Sequence, residues 1–116
     1  MNREGHGHYI DLTVAQTESV SGSFQLPRWS VFVGVYIPDA DAANVTMEVS
    51  KDDSTFVPIL DDIDGEDAVI LASGQDPAYI DISRWIASIP LEWYIRFKFS
   101  AAQNTAALTL HVCFRP

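Results

Sequence analysis

The stretch Glu92–Trp93–Tyr94–Ile95–Arg96–Phe97–Lys98–Phe99 alternates apolar and polar residues. Trp93, Ile95, Phe97 and Phe99 fall on one side, Arg96 and Lys98 on the other. Successive side chains of a β-strand point to opposite faces, so this spacing predicts a strand with one buried face and one wet or contacting face. The end of the chain repeats the pattern, with Leu108, Leu110, Val112 and Phe114 inward and Thr109, His111, Cys113 and Arg115 outward. Val45, Met47 and Val49 alternate with Thr46, Glu48 and Ser50 in a third strand, and Ile10, Leu12 and Val14 mark a fourth.

Other segments are less regular. Residues 29–37 are almost all apolar, which suits a strand covered on both faces. Gly34 within that run points to a bulge or a close backbone approach. Residues 56–60 contain Pro58, a mark of an edge strand. Residues 68–72 and 79–82 are short candidates, and 19–24 is a weak one. Turn-forming clusters separate these runs at 51–54, 61–67 and 73–77. The 101–107 link is small and uncharged. Residues 83–89 alone read as helical, and Pro90 stops them. Seven or eight short strands at this spacing predict an all-β fold, an antiparallel, jelly-roll-like β-sandwich with one short helix near 83–89. An N-terminal arm over 1–8 precedes a single sandwich domain over 9–116.

Composition bounds the function. The 116 residues suffice for one hydrophobic core. The net charge of −9 argues against phosphate-backbone binding, so no nucleic acid is expected. No apolar run approaches the roughly 20 residues of a membrane-spanning helix, and no membrane partner is expected. Residues 1–8 show no apolar signal core, so no secretion signal is expected. Without one, the Asn44–Val45–Thr46 glycosylation sequon carries no weight. The one cysteine, Cys113, excludes an internal disulfide framework and a cysteine-cluster metal site.

Few residues suggest chemistry. Asp61, Asp62, Asp64, Glu66 and Asp67 surround Gly65, and calcium binding there is an alternative to a solvated acidic turn. His6 and His8 are spaced as a transition-metal pair or as part of a polar tail. His111 and Cys113 have no partner that spacing alone identifies. No phosphate loop, nucleophile elbow or paired-carboxylate spacing is present. The expectation is therefore no enzyme, no cofactor and no metal site. Trp29 and Trp85 sit near element ends and are candidates for sugar stacking, with Tyr79 as a loop aromatic, against packing in the core or at a contact.

The segment from Asn44 to Ile59 is the most distinctive. Its strand of alternating Val and polar residues ends in Ser50 and leads into Asp52–Asp53–Ser54–Thr55–Phe56–Val57–Pro58. It resembles a pattern of small structural proteins of tailed bacteriophages. Pro27–Arg28–Trp29 and the paired strands 92–115 correspond to further features of those proteins. The likeness covers most of the chain from Phe24. Where those proteins usually have Asp-Gly, this chain has Asp52–Asp53. Ser50–Phe56 and Trp93–Tyr94–Ile95–Arg96 also resemble the middle hairpin and late strand of discoidin-type jelly rolls. That likeness bears on fold and transfers no glycan site.

The resemblance implies a virion structural protein, foremost a capsid cement or decoration protein on the capsid exterior, assembled in the host cytoplasm. Its partners would be the major capsid protein and copies of itself, with a trimer favoured. The alternatives are a neck, tail or baseplate component, a glycan-binding module, or a calcium-stabilised accessory domain of an enzyme. Arg84, Arg96, Lys98 and Arg115 are basic exceptions on an acidic chain, suited to an acidic neighbour. With Trp29, Trp85, His6 and His8 they form the candidate partner-contact set.

Overall fold

Alternating sequence becomes two facing sheets in the computed structural model, which describes residues 8–61, 63–74 and 76–116. The strands are β1 (His8–Val14), β2 (Phe24–Gln25), β3 (Phe32–Ile37), β4 (Ala43–Ser50), β5 (Val57–Pro58), β6 (Val69–Gly74), β7 (Ala78–Asp81), β8 (Tyr94–Phe99) and β9 (Leu108–Arg115). A single helical turn, α1 (Ser83–Ile86), lies between β7 and β8. One sheet has the order β1-β9-β3-β7. The other has the order β2-β8-β4-β5, with β6 also paired to β4. Every pairing is antiparallel, and the protein is a β-sandwich. The strands exceed the expected number because the weak 19–24 segment and the Pro58 segment each contribute a two-residue strand. The helix is shorter than expected. Beyond Ile86, Ile89 N donates to Ile86 O, a tighter turn that ends at Pro90.

The core interleaves the predicted inward sets of β4, β8 and β9 with one side of β3. Val33, Val35 and Ile37 of β3 and Leu110, Val112 and Phe114 of β9 face Val45, Met47 and Val49 of β4 and Ile95, Phe97 and Phe99 of β8. Phe24 joins the two layers, with its ring centroid 6.1 Å from Phe97 and 5.9 Å from Phe114. Trp93 precedes β8 and is partly buried against this core. Ser83 docks α1 on β3, its Oγ accepting from Val33 N at 2.8 Å and donating to Val33 O at 3.3 Å.

The run over 29–37 departs from its reading. Phe32 is 53% exposed, so the start of β3 is not covered on its outer face, and Val31, just before the strand, is exposed as well. A run without alternation does not say whether a second layer exists. Gly34 does mark a close approach. A Cβ built there would fall 2.5 Å from Cζ of Tyr79, whose ring lies over it from β7. The Pro58 segment is an edge, as its proline requires: β5 and β6 share the edge of β4 opposite β8, and the register of β6 shifts along β4.

The turn after β4 holds Asp53 in a conformation that glycine adopts most readily. Asp53 has φ 60°, a left-handed conformation that Asp tolerates better than most residues. Asp52 holds the turn: its Oδ1 accepts from Ser50 Oγ at 2.8 Å and from the amides of Ser54 and Thr55 at 3.0 Å each. The Thr55 amide, then the Ser50 hydroxyl and the Ser54 amide, pull the Asp52 carboxyl down to about 2. A carboxyl depressed in the folded state stabilises fully above its unfolded value and loses that contribution as the pH falls. The turn is therefore expected to weaken as the pH drops from 3.8 towards about 2. Acid unfolding followed by circular dichroism checks this: Asp52→Ala should be less stable at neutral pH and lose less on acidification.

Candidate functional site

Each strand of the β1-β9-β3-β7 sheet sends every second side chain away from the core. Cross-strand pairing sets these in rows: Asp11, His111, Tyr36 and Tyr79 in one, Tyr9, Cys113, Gly34 and Asp81 in the next. Phe32 and Arg115 are opposite each other in a third. The face is thus unusually aromatic for one with no described layer over it. Tyr9 and Tyr79 are each 61% exposed.

The rings contact one another. His111 lies between Tyr9, edge-on at 5.4 Å, and Tyr36, stacked at 5.8 Å. Asp11 Oδ1 is 2.6 Å from His111 Nδ1 and fixes the orientation of the imidazole. Phe32, Tyr79, Asp81, Cys113 and Arg115 border a shallow groove of about 210 Å³ whose floor is Gly34. Burial, then the neighbouring Cys113, pushes the Tyr79 phenol above its ordinary value. The Asp81 carboxyl is held below the usual range by the Ser83 amide, which donates to its Oδ1 at 3.0 Å. The face thus sets exposed aromatic side chains among polar and charged ones, Asp11, His111, Asp81 and Arg115.

The candidate contact residues fall in several places. Arg115 ends β9 on this aromatic face. Trp29 lies before β3, its ring edge-on to Phe114 at 6.5 Å. His8 opens β1 opposite Phe114, and His6 lies outside the described residues. Arg84 and Trp85 sit together on α1, with the guanidinium 4.1 Å over the indole. They border a cleft of about 420 Å³ with Ile59, Leu60, Asp61, Ile63 and Ser88. Leu60 is exposed and Ile63 almost fully so.

Arg96 and Lys98 lie on the outer face of the other sheet and converge on Glu48. Arg96 reaches Glu48 Oε1 at 2.7 Å through both Nε and a terminal nitrogen, and Lys98 Nζ is 4.0 Å from Oε2. The Arg96 guanidinium also lies 3.9 Å over the Phe56 ring.

The acidic loop spends described carboxylates on its own backbone. Asp61 Oδ1 accepts from Ile63 N at 2.8 Å and Asp64 Oδ1 from Glu66 N at 2.9 Å. Gly65, at φ 73°, closes the turn by donating to Asp61 O. Asp62 lies outside the described residues, and among the described residues no cluster of three metal-ligating side chains occurs.

Sequence reasoning missed Tyr9, Phe32, Tyr36 and the Asp11–His111 pair. Tyr9, Asp11 and His111 fall at outward positions of alternating strands, whereas Phe32 and Tyr36 lie in the apolar 29–37 run, which gives them no side. These residues become a site only when β1, β9, β3 and β7 lie side by side. No protein-family model matches the chain, and no curated relative is found for it.

Proposed function

We propose that this chain is a non-enzymatic virion structural protein, a capsid cement protein that binds the assembled shell of a tailed bacteriophage and bridges neighbouring capsid subunits. The observation that carries the reading is the aromatic outer face of the β1-β9-β3-β7 sheet, where Tyr9, Phe32 and Tyr79 are exposed together. It offers a partner apolar area without a lid or a deep pocket, as docking on a broad protein surface requires. The likeness of residues 44–59 to phage structural proteins supports the virion setting. The division of the strands, β1, β9, β3 and β7 against β2, β8, β4, β5 and β6, supports the jelly-roll reading.

The mechanism is linkage. A ligand that binds only the assembled shell stabilises that shell against disassembly, and contacts repeated over a lattice sum. The net charge of −9 opposes non-specific clustering of free copies in solution. The reading is tested by quantitative mass spectrometry of purified particles and by binding of the isolated chain to preassembled shells. A copy number close to that of the shell protein is expected. The double variant Phe32→Ser/Tyr79→Ser should fold and bind shells at least ~10-fold more weakly. A copy number of a single ring would move the chain to the neck or tail. Absence from particles, with retention on a glycan array that Tyr9→Ala abolishes, would replace this reading with a glycan-binding module.

A further inference from the structure

Among the described residues β1 is the outermost strand of its sheet. Its backbone groups alternate between β9 and the open edge. Gly22 N donates to Thr13 O at 3.2 Å in the isolated bridge between Val14 and Ser21. That bond fixes the alternation: the odd residues Tyr9, Asp11 and Thr13 aim their N–H and C=O groups away from β9, and the even residues bond to it. The carbonyl of Thr13 is occupied by Gly22, so the open stretch is centred on Tyr9 to Asp11.

An open edge invites pairing with another strand, and proteins ordinarily blunt it. The other edges here are blunted. β2 has two residues, β5 contains Pro58, β6 carries register shifts, and β7 is four residues long and turns directly into α1. β1 is seven residues long, without proline, lysine or a register shift against β9. Its one acidic side chain, Asp11, is drawn onto β9 by His111 at 2.6 Å.

We infer that β1 is a self-association edge, pairing antiparallel with β1 of a second copy about a two-fold axis at Ile10. Of the registers that present the odd residues to each other, placing Tyr9 opposite Tyr9 engages a single hydrogen-bonded pair of described residues, and placing Asp11 opposite Thr13 calls on the carbonyl that Gly22 occupies. Placing Asp11 opposite Asp11 sets like charges face to face and calls on Thr13, whose carbonyl is taken; cross-strand like charges destabilise. Placing Tyr9 opposite Asp11 avoids both. The Tyr9 N–H then donates to the second copy's Asp11 C=O, the second copy's Asp11 N–H donates to the Tyr9 C=O, and symmetry repeats the exchange. Ile10, on the inward face but only partly buried, meets its own symmetry mate and extends the core across the axis. The contact is isologous and closes at two copies, unlike the expected trimer, which needs two different surfaces. Both aromatic faces end up on the same side of one continuous sheet.

The inference stands apart from the virion reading and is tested on the isolated chain. Sedimentation over a concentration series should show a monomer–dimer equilibrium. Because each copy carries −9, the dimer should strengthen as salt screens the repulsion. Residue-resolved amide exchange should show Tyr9 and Asp11 becoming protected as concentration rises, while Ile10 and Leu12 stay protected throughout. Tyr9→Pro removes the edge-facing N–H together with the ring that meets His111 and keeps the β1–β9 backbone bonds; set against Tyr9→Ala, which loses the ring alone, it should weaken the dimer roughly tenfold. A monomer at every concentration, a trimer, a dimer indifferent to Tyr9→Pro, or a dimer whose Tyr9 and Asp11 amides stay open would overturn the inference. Should the proline variant fail to fold, the wild-type exchange pattern decides.

Discussion

Arg96→Ala is expected to lower the unfolding free energy by about 2–3 kcal/mol in urea melts at neutral pH. The Glu48 side chain is only 11% exposed, and Arg96 supplies both short contacts to its Oε1. Breaking a fully buried pair from one side costs about 3–5 kcal/mol, because the remaining charge stays desolvated and alone. Arg96 is 27% exposed, and Lys98 remains 4.0 Å from the other oxygen, which puts the loss at the lower end. The stacking over Phe56 disappears with the guanidinium and adds to it. Replacing both partners, Arg96→Leu with Glu48→Leu, removes the charge and its desolvation together and should recover most of the loss. Lys98→Ala should cost under about 1 kcal/mol, as an exposed partner does. A loss within about 0.5 kcal/mol for Arg96→Ala, the range of an ordinary surface substitution, would show that the pair does not hold the carboxylate in the sheet.

Gln103→Leu should cost a similar amount, about 2–3 kcal/mol, for a different reason. Gln103 is fully buried. Its Oε1 accepts from Asp41 N at 2.8 Å, and its Nε2 donates to Asp41 O at 3.2 Å and Ala101 O at 3.3 Å. Its backbone accepts from Thr17 N and donates to Glu18 O, both at 2.9 Å. One residue thereby ties the turn after β1 and the β3–β4 link to the β8–β9 link. Leucine fits the volume but leaves the amide and carbonyl of Asp41, which are part-buried, without these partners. The lock has two further parts. Asp41 accepts from the amides of Asn104 and Thr105 and from the Thr105 hydroxyl at 2.6 Å. Thr17 is held at φ 74°, a strained conformation for a β-branched residue that the Gln103 contact offsets. Amide exchange should locate the damage: Asp41, Asn104, Thr105 and Thr17 should open well before the strands. Uniform loss of protection would mean that Gln103 acts through the core as a whole.

Both residues show where sequence reading stops. Arg96 is assigned by alternation to the outward face of its strand, and that is where it lies. A basic residue on a wet strand face then reads as a docking group. Its register partner Glu48 is not legible, because pairing of β4 with β8 depends on the order of strands in the sheet. Gln103 sits in a link that reads as small and uncharged, and nothing local distinguishes a buried pin from a solvated loop residue. Gly34 was legible in kind, since a glycine inside an apolar strand implies a close neighbour. Identifying Tyr79 as that neighbour required β7 beside β3.

The β class, the inward sets of β4, β8 and β9 and the edge character of the Pro58 segment follow from residue order alone. The period of two and the missing proline N–H are local properties of the chain. The aromatic outer face, the Glu48–Arg96 pair and the open edge at Tyr9 and Asp11 are not local. They join positions 48 residues apart in the ion pair and 100 apart in the Asp11–His111 contact. Contacts at such separations arise from which sheet each strand joins and in which register, and packing of the whole core selects both.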